Sequence, residues 1–175
     1  MTTITISGLP GTGKTTVAKL LENRLGLKYV YSGEIFRRLA KKYKMSLEEF
    51  GTYCEKHREI DEELDNFQLE LLRKGNVIVE GRIAGWLAYR NHIPAVKVLL
   101  DASLDVRATR IVKREKGAVE KRKKEIVKRE QSEATRYKKY YHIDVRDTSI
   151  YDVVVDTADK SPDKIVKIIM QYLGK

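Results

Sequence analysis

Apolar and β-branched residues recur along the chain in five short runs, at 3–6, 28–31, 77–79, 96–100 and 151–155, each of strand length. Between them the spacing becomes helical. Val17, Leu20, Leu21 and Leu25, for example, fall on one face of a helix that follows the first run. Strands alternating with helices predict an α/β domain built on a five-stranded parallel sheet flanked by helices. Such sheets take ligands outside the carboxyl ends of their strands. Those ends lead into Gly8, Ser32-Gly33 and Glu80-Gly81-Arg82, so the chemistry is expected along one edge.

Two intervals are longer than a crossover needs. About 45 residues separate the second and third runs, enough for helices from Glu34, from Ser46 and near 60–73. Ser46-Leu47-Glu48-Glu49 reads as a capping box, and Ser161-Pro162 as an N-cap before a proline at the first helical position. The long interval is expected to form a helical insert over the active edge, and 118–141 a second excursion. No internal repeat, low-complexity tract or linker interrupts the 175 residues, which fit a single domain.

The first strand runs into Gly8-Leu9-Pro10-Gly11-Thr12-Gly13-Lys14-Thr15, with Thr16 after it. Gly-x-x-x-x-Gly-Lys-Thr between a strand and a helix is a phosphate-binding loop, which predicts ATP or GTP as ligand. Glycines let backbone N–H groups turn toward phosphate oxygens, Lys14 reaches the β- and γ-phosphates, and the Thr15 hydroxyl ligates Mg²⁺. The positive end of the following helix points at the same anion.

Composition narrows the setting. Cys54 is the only cysteine, so no internal disulfide forms; a reducing, cytoplasmic location is expected, with Cys54 as a packing residue. No apolar run approaches the ~18 residues that span a bilayer, and the chain opens on a strand and loop without a signal-peptide core, so a soluble protein is expected. Charged residues make up 34% of the chain while Asn and Gln together number seven, a thermophile-like bias. A melting temperature in the ordinary mesophile range would contradict that reading.

The net charge of +10 is unevenly placed. Residues 107–141 hold 14 Lys/Arg against 5 Glu, which leaves the rest nearly neutral. A local basic segment beside a phosphate loop suits polyphosphate, whereas an RNA-associated ATPase would use it as an electrostatic footprint. No aromatic-rich RNA-reading motif accompanies it, no nucleic-acid partner is expected, and Lys121-Arg122-Lys123-Lys124 encircles its helix as a solvated surface would.

No Asn-Lys-x-Asp guanine motif occurs, and the chain is short for a motor. A small kinase remains, in which cations must cancel the repulsion between two phosphorylated molecules. Arg37, one turn after Ser32-Gly33, and Arg82, after the third strand, are placed to grip an acceptor phosphate. Glu80 is placed to hold Mg²⁺ through water. Arg107, Arg110 and Arg114 share a helix face, and Arg129 and Arg136 lie two turns apart on the next helix; both rows are expected to face a closing cleft. His57, His92 and His142 have no visible partner and are assigned structural or surface roles.

Tyr31-Ser32-Gly33-Glu34-Ile35-Phe36-Arg37, Glu80-Gly81-Arg82, the 102–114 segment and Arg129-Glu130-Gln131-Ser132-Glu133-Ala134-Thr135-Arg136-Tyr137 resemble the nucleoside monophosphate kinases, specifically the archaeal-type cytidylate kinases. The resemblance covers essentially the whole chain. It implies a core of 1–31, 76–117 and 142–175, an acceptor-binding insert of about 32–75 and a lid of about 118–141. It also implies transfer from ATP to CMP or dCMP without a covalent intermediate. Gly8 to Thr16 would bind the ATP phosphates and Arg110 would pack on the donor adenine, beside Val155-Asp156-Thr157-Ala158. Ser32, Arg37, Arg82 and Glu133 would bind the acceptor, Glu133 at its sugar, and Arg129 and Arg136 would be lid arginines.

Adenylate kinases carry Asp-Gly-x-Pro-Arg after the third strand; Glu80-Gly81-Arg82 departs from that and favours the cytidylate branch. The Asp-x-Asp of shikimate kinases is absent. Arg58, Asp61 and Asp65 stay open as readers of the cytosine, and AMP, UMP or dephospho-coenzyme A as rival acceptors. A monomer acting on small nucleotides, with no membrane partner, is the expected state.

Overall fold

The computed structural model describes residues 2–173. Five parallel strands form one sheet: β1 (Thr3–Ser7), β2 (Lys28–Tyr31), β3 (Val77–Glu80), β4 (Val96–Asp101) and β5 (Val153–Asp156), in the order β2-β3-β1-β4-β5. β1 is central and wholly buried, with Ile6 beside Glu80 on one side and Val98 on the other.

Its alternation sorts the core into two layers. Ile4 and Ile6 pack with Val17, Ala18 and Leu21 of α1 (Lys14–Leu25) and with Ile165, Val166 and Ile169 of α8 (Pro162–Met170). On the opposite face Val77 and Val79 pack with Leu72 of α4 (Arg58–Lys74) and with Ala84, Trp86 and Leu87 of α5 (Ala84–Arg90). Each buried Leu, Ile or Val contributes ~1.5–3 kcal/mol, so this sheet is a rigid platform for what its carboxyl edge holds.

The insert has its own core. Between β2 and β3 lie α2 (Ser32–Lys42), α3 (Leu47–Cys54) and α4, closed around Ala40, Phe50, Cys54, Ile60 and Leu64. The Ser46 capping box forms, with Glu49 N–H donating to Ser46 Oγ at 3.1 Å and Ser46 N–H donating to Glu49 Oε2 at 2.8 Å. Cys54 is fully buried there, and burial pushes its thiol up to about 11, which keeps it protonated and inert.

After β4 come α6 (Leu104–Glu115) and a single helix α7 (Val119–Tyr141), joined through Ala108, Ile111 and Ile126. The Tyr140 hydroxyl donates to the Glu55 carbonyl at 2.6 Å, seating α7 on the insert.

Two expectations shift and one helix is added. α2 begins at Ser32 rather than Glu34. β5 begins at Val153, because Tyr151 turns into the core against Gly85, where a Cβ would lie 2.5 Å from its ring. α5 was not predicted at all: seven residues give too little periodicity to distinguish it from a loop.

Candidate active site

The loop after β1 closes on the N-terminus of α1. Gly13, in the left-handed region at φ 90°, is the N-cap and supplies no side-chain cap, so the first N–H groups of α1 remain free for an anion. Gly11 is required by closeness as well as by its φ of 85°: a Cβ there would sit 2.7 Å from the Arg107 carbonyl oxygen. Lys14 Nζ donates to the Leu9 carbonyl at 2.8 Å, and the Thr12 hydroxyl to the same oxygen at 3.0 Å. Burial and the nearby Arg82 hold Lys14 well below the usual lysine range, with Glu80 and Glu133 opposing. An anion delivered to this loop would relieve that deficit.

Thr15 Oγ1 lies 3.1 and 3.2 Å from the two Glu80 oxygens, and Glu80 ends β3 almost completely buried. A hydroxyl and one carboxylate, both hard oxygen donors at the foot of a phosphate loop, fit Mg²⁺ with phosphate and water completing its shell. Among the described residues no group of three His, Cys, Asp or Glu is arranged to hold a metal.

Sequence reasoning missed Tyr29. Its hydroxyl donates to Glu80 Oε2 at 2.5 Å, and burial together with Glu80 raises its pKa far enough that it stays a donor. Only the pairing of β2 with β3 brings these two residues together.

Arginines converge on the same edge. Arg82 donates from Nη1 to the Gly8 carbonyl at 2.9 Å and from Nε to Glu133 Oε2 at 2.6 Å; Arg129 Nε donates to Glu133 Oε1 at 3.0 Å. Glu133 therefore ties α7 to Arg82 at the loop side. Burial alone would raise its carboxyl, but Arg82 and Arg129 outweigh that and hold it at about 2. Arg37 stacks over the Tyr31 ring at 5.5 Å, makes no ion pair among the described residues, and lines the main cleft of about 420 Å³ with Lys14, Arg82 and Arg129.

Arg136 is buried deeper, with Nη1 3.3 Å from Asp61 Oδ1 and its guanidinium between the Phe36 and Tyr137 rings. It lines a second pocket with Ser32, Arg82 and Glu133, on the insert side. Ser32 Oγ donates to the Glu80 carbonyl at 2.9 Å. On the far side of the loop Arg110 clasps Thr157, through its hydroxyl at 2.8 Å and its carbonyl at 2.6 Å, in a pocket that includes Thr16 and Lys160.

The expected row of cleft-facing arginines on α6 is corrected in one member. Arg107 is buried beneath the loop, donating to the Ala102 carbonyl at 2.9 Å and the Pro10 carbonyl at 3.3 Å and pairing with Glu130. Its donors are spent on holding the loop to α7. Conversely, Arg122 of the supposed surface run turns into the main cleft and pairs with Glu125 at 2.7 Å.

The carboxylates titrate in opposite senses. Glu133's folded pKa lies below the ~4.3 of a free glutamate, so its contribution to stability is present above that pH and lost as pH falls toward 2. Burial raises Asp65 to about 7 and Asp61 to about 6, above the ~3.9 of free aspartate. Their contribution is present below about pH 4 and lost as pH rises through 6 and 7. Asp65→Asn is thus expected to raise the melting temperature at pH 8 by a few degrees, ~1 kcal/mol being worth about 2–4 °C at this size. The gain should shrink at pH 5; calorimetry at both pH values checks it.

The chain matches the cytidylate kinase-like family over residues 3–159. It is 46% identical over 167 residues to a cytidylate kinase of Methanocaldococcus jannaschii, covering 95% of this chain and 94% of that one. To a cytidylate kinase of Pyrococcus horikoshii it is 46% identical over 166 residues, covering 95% and 85%. Among solved structures, an uncharacterized protein from Eubacterium ventriosum superposes with a TM-score of 0.73 at 17% identity, covering 100% of this chain and 99% of that one. A shikimate kinase from Bacteroides thetaiotaomicron superposes at 0.62 and 16%, covering 99% of each. Those two share the fold. On the match across nearly its whole length, the chain belongs to the cytidylate kinase-like family.

Proposed function

We infer that the protein is a cytidylate kinase, an ATP-dependent enzyme that moves the γ-phosphoryl group onto CMP or dCMP to give ADP and the diphosphate. The observation that carries this reading is the gathering of three mostly buried cations, Lys14, Arg82 and Arg129, between the phosphate loop and the insert-side pocket. Two phosphorylated molecules meeting there have their repulsion cancelled.

On the donor side, the residues from Gly8 to Thr16 wrap the ATP phosphates, Lys14 spans the β- and γ-groups, and Arg110 packs on the adenine. On the acceptor side, Arg37 and Arg82 take the phosphate, Ser32 and Glu133 are the polar groups beside it, and Arg136 completes the pocket. Arg129 comes from the lid to the transferring group. Thr15 would ligate Mg²⁺ and Glu80 would hold it through water; the ion supplies charge neutralisation on the β- and γ-oxygens.

The acceptor phosphate is already nucleophilic, so no general base is invoked. Closure of α7 would exclude water and limit ATP hydrolysis. We place the enzyme in the cytoplasm as a monomer.

Incubation with γ-labelled ATP and CMP is expected to put the label in the β-phosphate of CDP and none on the protein. A labelled protein that passes its label to CMP would overturn direct transfer. Tyr29→Phe should raise the Mg²⁺ concentration for half-maximal rate by about tenfold, since it frees the carboxylate it orients. An unchanged Mg²⁺ titration would remove Glu80 from the ion's surroundings.

A further inference from the structure

The insert-side pocket has a wall that phosphoryl transfer leaves unused. Asp61, Asp65 and Gln68 succeed one another along one face of α4, all buried and all lining that pocket. Asp61 Oδ2 and Gln68 Oε1 are buried acceptors without a hydrogen-bond partner, while the Asp65 carboxyl also faces the Tyr141 hydroxyl. Each such unmade bond costs ~1–3 kcal/mol, so the wall is built for a ligand that brings donors.

Gln68 is the member whose direction is set. Its Nε2 donates to Asp65 Oδ1 at 3.0 Å and approaches the Leu64 carbonyl at 3.5 Å. Above about pH 7, where Asp65 is ionised, its carboxylate and the Leu64 carbonyl only accept, so the amide turns its nitrogen to them and its oxygen outward. That oxygen lies against Gly81, where any Cβ would overlap it and would also come within 2.8 Å of Ser32 Oγ. Gly81 and Ser32 both line the pocket, so the missing side chain keeps the oxygen approachable.

We propose that Gln68 Oε1, aimed by Asp65, reads the amino group at position 4 of the acceptor's cytosine and rejects uracil. The proposal rests on the cytidylate kinase reading above. Cytosine presents an N4–H₂ donor where uracil presents the O4 acceptor. Against a fixed acceptor the amino group bonds, whereas O4 sets lone pair against lone pair and leaves both oxygens unpaired. Asp65 is a positioning residue that acts through Gln68. Arg58 lies outside this pocket, exposed and bonded to Glu62 Oε1 at 2.7 Å.

The test compares kcat/KM for CMP and UMP in wild type, Gln68→Leu and Asp65→Asn, with the KM for ATP as a control for the intact loop. Gln68→Leu is expected to lower the CMP/UMP ratio by at least about tenfold. Asp65→Asn offers hydrogens back to Gln68, allowing the amide to turn over and present Nε2, so the ratio is expected to fall further and uridylate to gain. A merely structural role for Asp65 would lower both acceptors together. If Gln68→Leu does not fold, Asp65→Asn carries the test. A wild type that prefers CMP, with a ratio changing less than tenfold in the folded variants, overturns the proposal and leaves the kinase assignment standing. A wild type that does not phosphorylate CMP overturns that assignment, and this proposal with it.

Discussion

Lys14→Ala is expected to lower kcat by about 10²–10³-fold or more while leaving the fold intact, on the scale seen when one preorganised charge-stabilising donor is removed. The physical case lies in the site's own electrostatics. Lys14 is a buried cation whose ammonium, among the described residues, hydrogen-bonds only to the Leu9 carbonyl, and burial and Arg82 both disfavour its charge. The protein bears that electrostatic cost before nucleotide arrives, so removing the ammonium should leave the melting temperature equal or slightly higher. Activity and stability should therefore part company in this variant. Turnover near that of wild type would contradict the phosphate-loop assignment; a collapse of the melting temperature would make Lys14 a structural residue.

Arg129→Ala is expected to lower kcat by about 10³-fold with little change in donor affinity, as for arginines that stabilise a transferring phosphoryl group. Burial, and Arg82 close by, both push against its charge, and Glu133 is its counter-ion. A guanidinium so placed gains most when new negative charge forms beside it, in the transition state rather than in the ground state. Single-turnover rates alongside equilibrium binding of an ATP analogue separate the two. Loss of binding equal to the loss in rate would remove the transition-state role.

The residues that sequence could and could not assign differ in one physical respect. Strand runs, the loop from Gly8 to Thr15 and the Ser46 and Ser161 caps are local: neighbours within a few residues dictate them, and the structure has each within a residue or two of its expected place. The spacing of Arg107, Arg110 and Arg114 was legible as a shared helix face, but which of them reaches the cleft depended on how α6 meets the loop. Tyr29 is an ordinary strand residue until β2 pairs with β3 and sets its hydroxyl on Glu80, 51 positions away.

Gln68 was the least visible of all. In Asp65-Asn66-Phe67-Gln68 it is one more polar residue on an exposed-looking helix. Its meaning comes from a buried oxygen, Oε1, that has no partner, and that depends on Gly81, thirteen residues on, leaving room beside it. Asp65 shows the same trade from the energetic side. A carboxylate pushed up to about 7 by burial destabilises the fold at neutral pH, which stability alone would not retain.

The central claim is that this cleft joins ATP to a cytosine monophosphate. Steady-state kcat/KM measured by coupled ADP release with CMP, dCMP, UMP, AMP and dephospho-coenzyme A, at fixed saturating ATP and Mg²⁺, tests it most directly. The account predicts that CMP and dCMP exceed every other acceptor by at least about tenfold. AMP or dephospho-coenzyme A decisively outrunning CMP would contradict it.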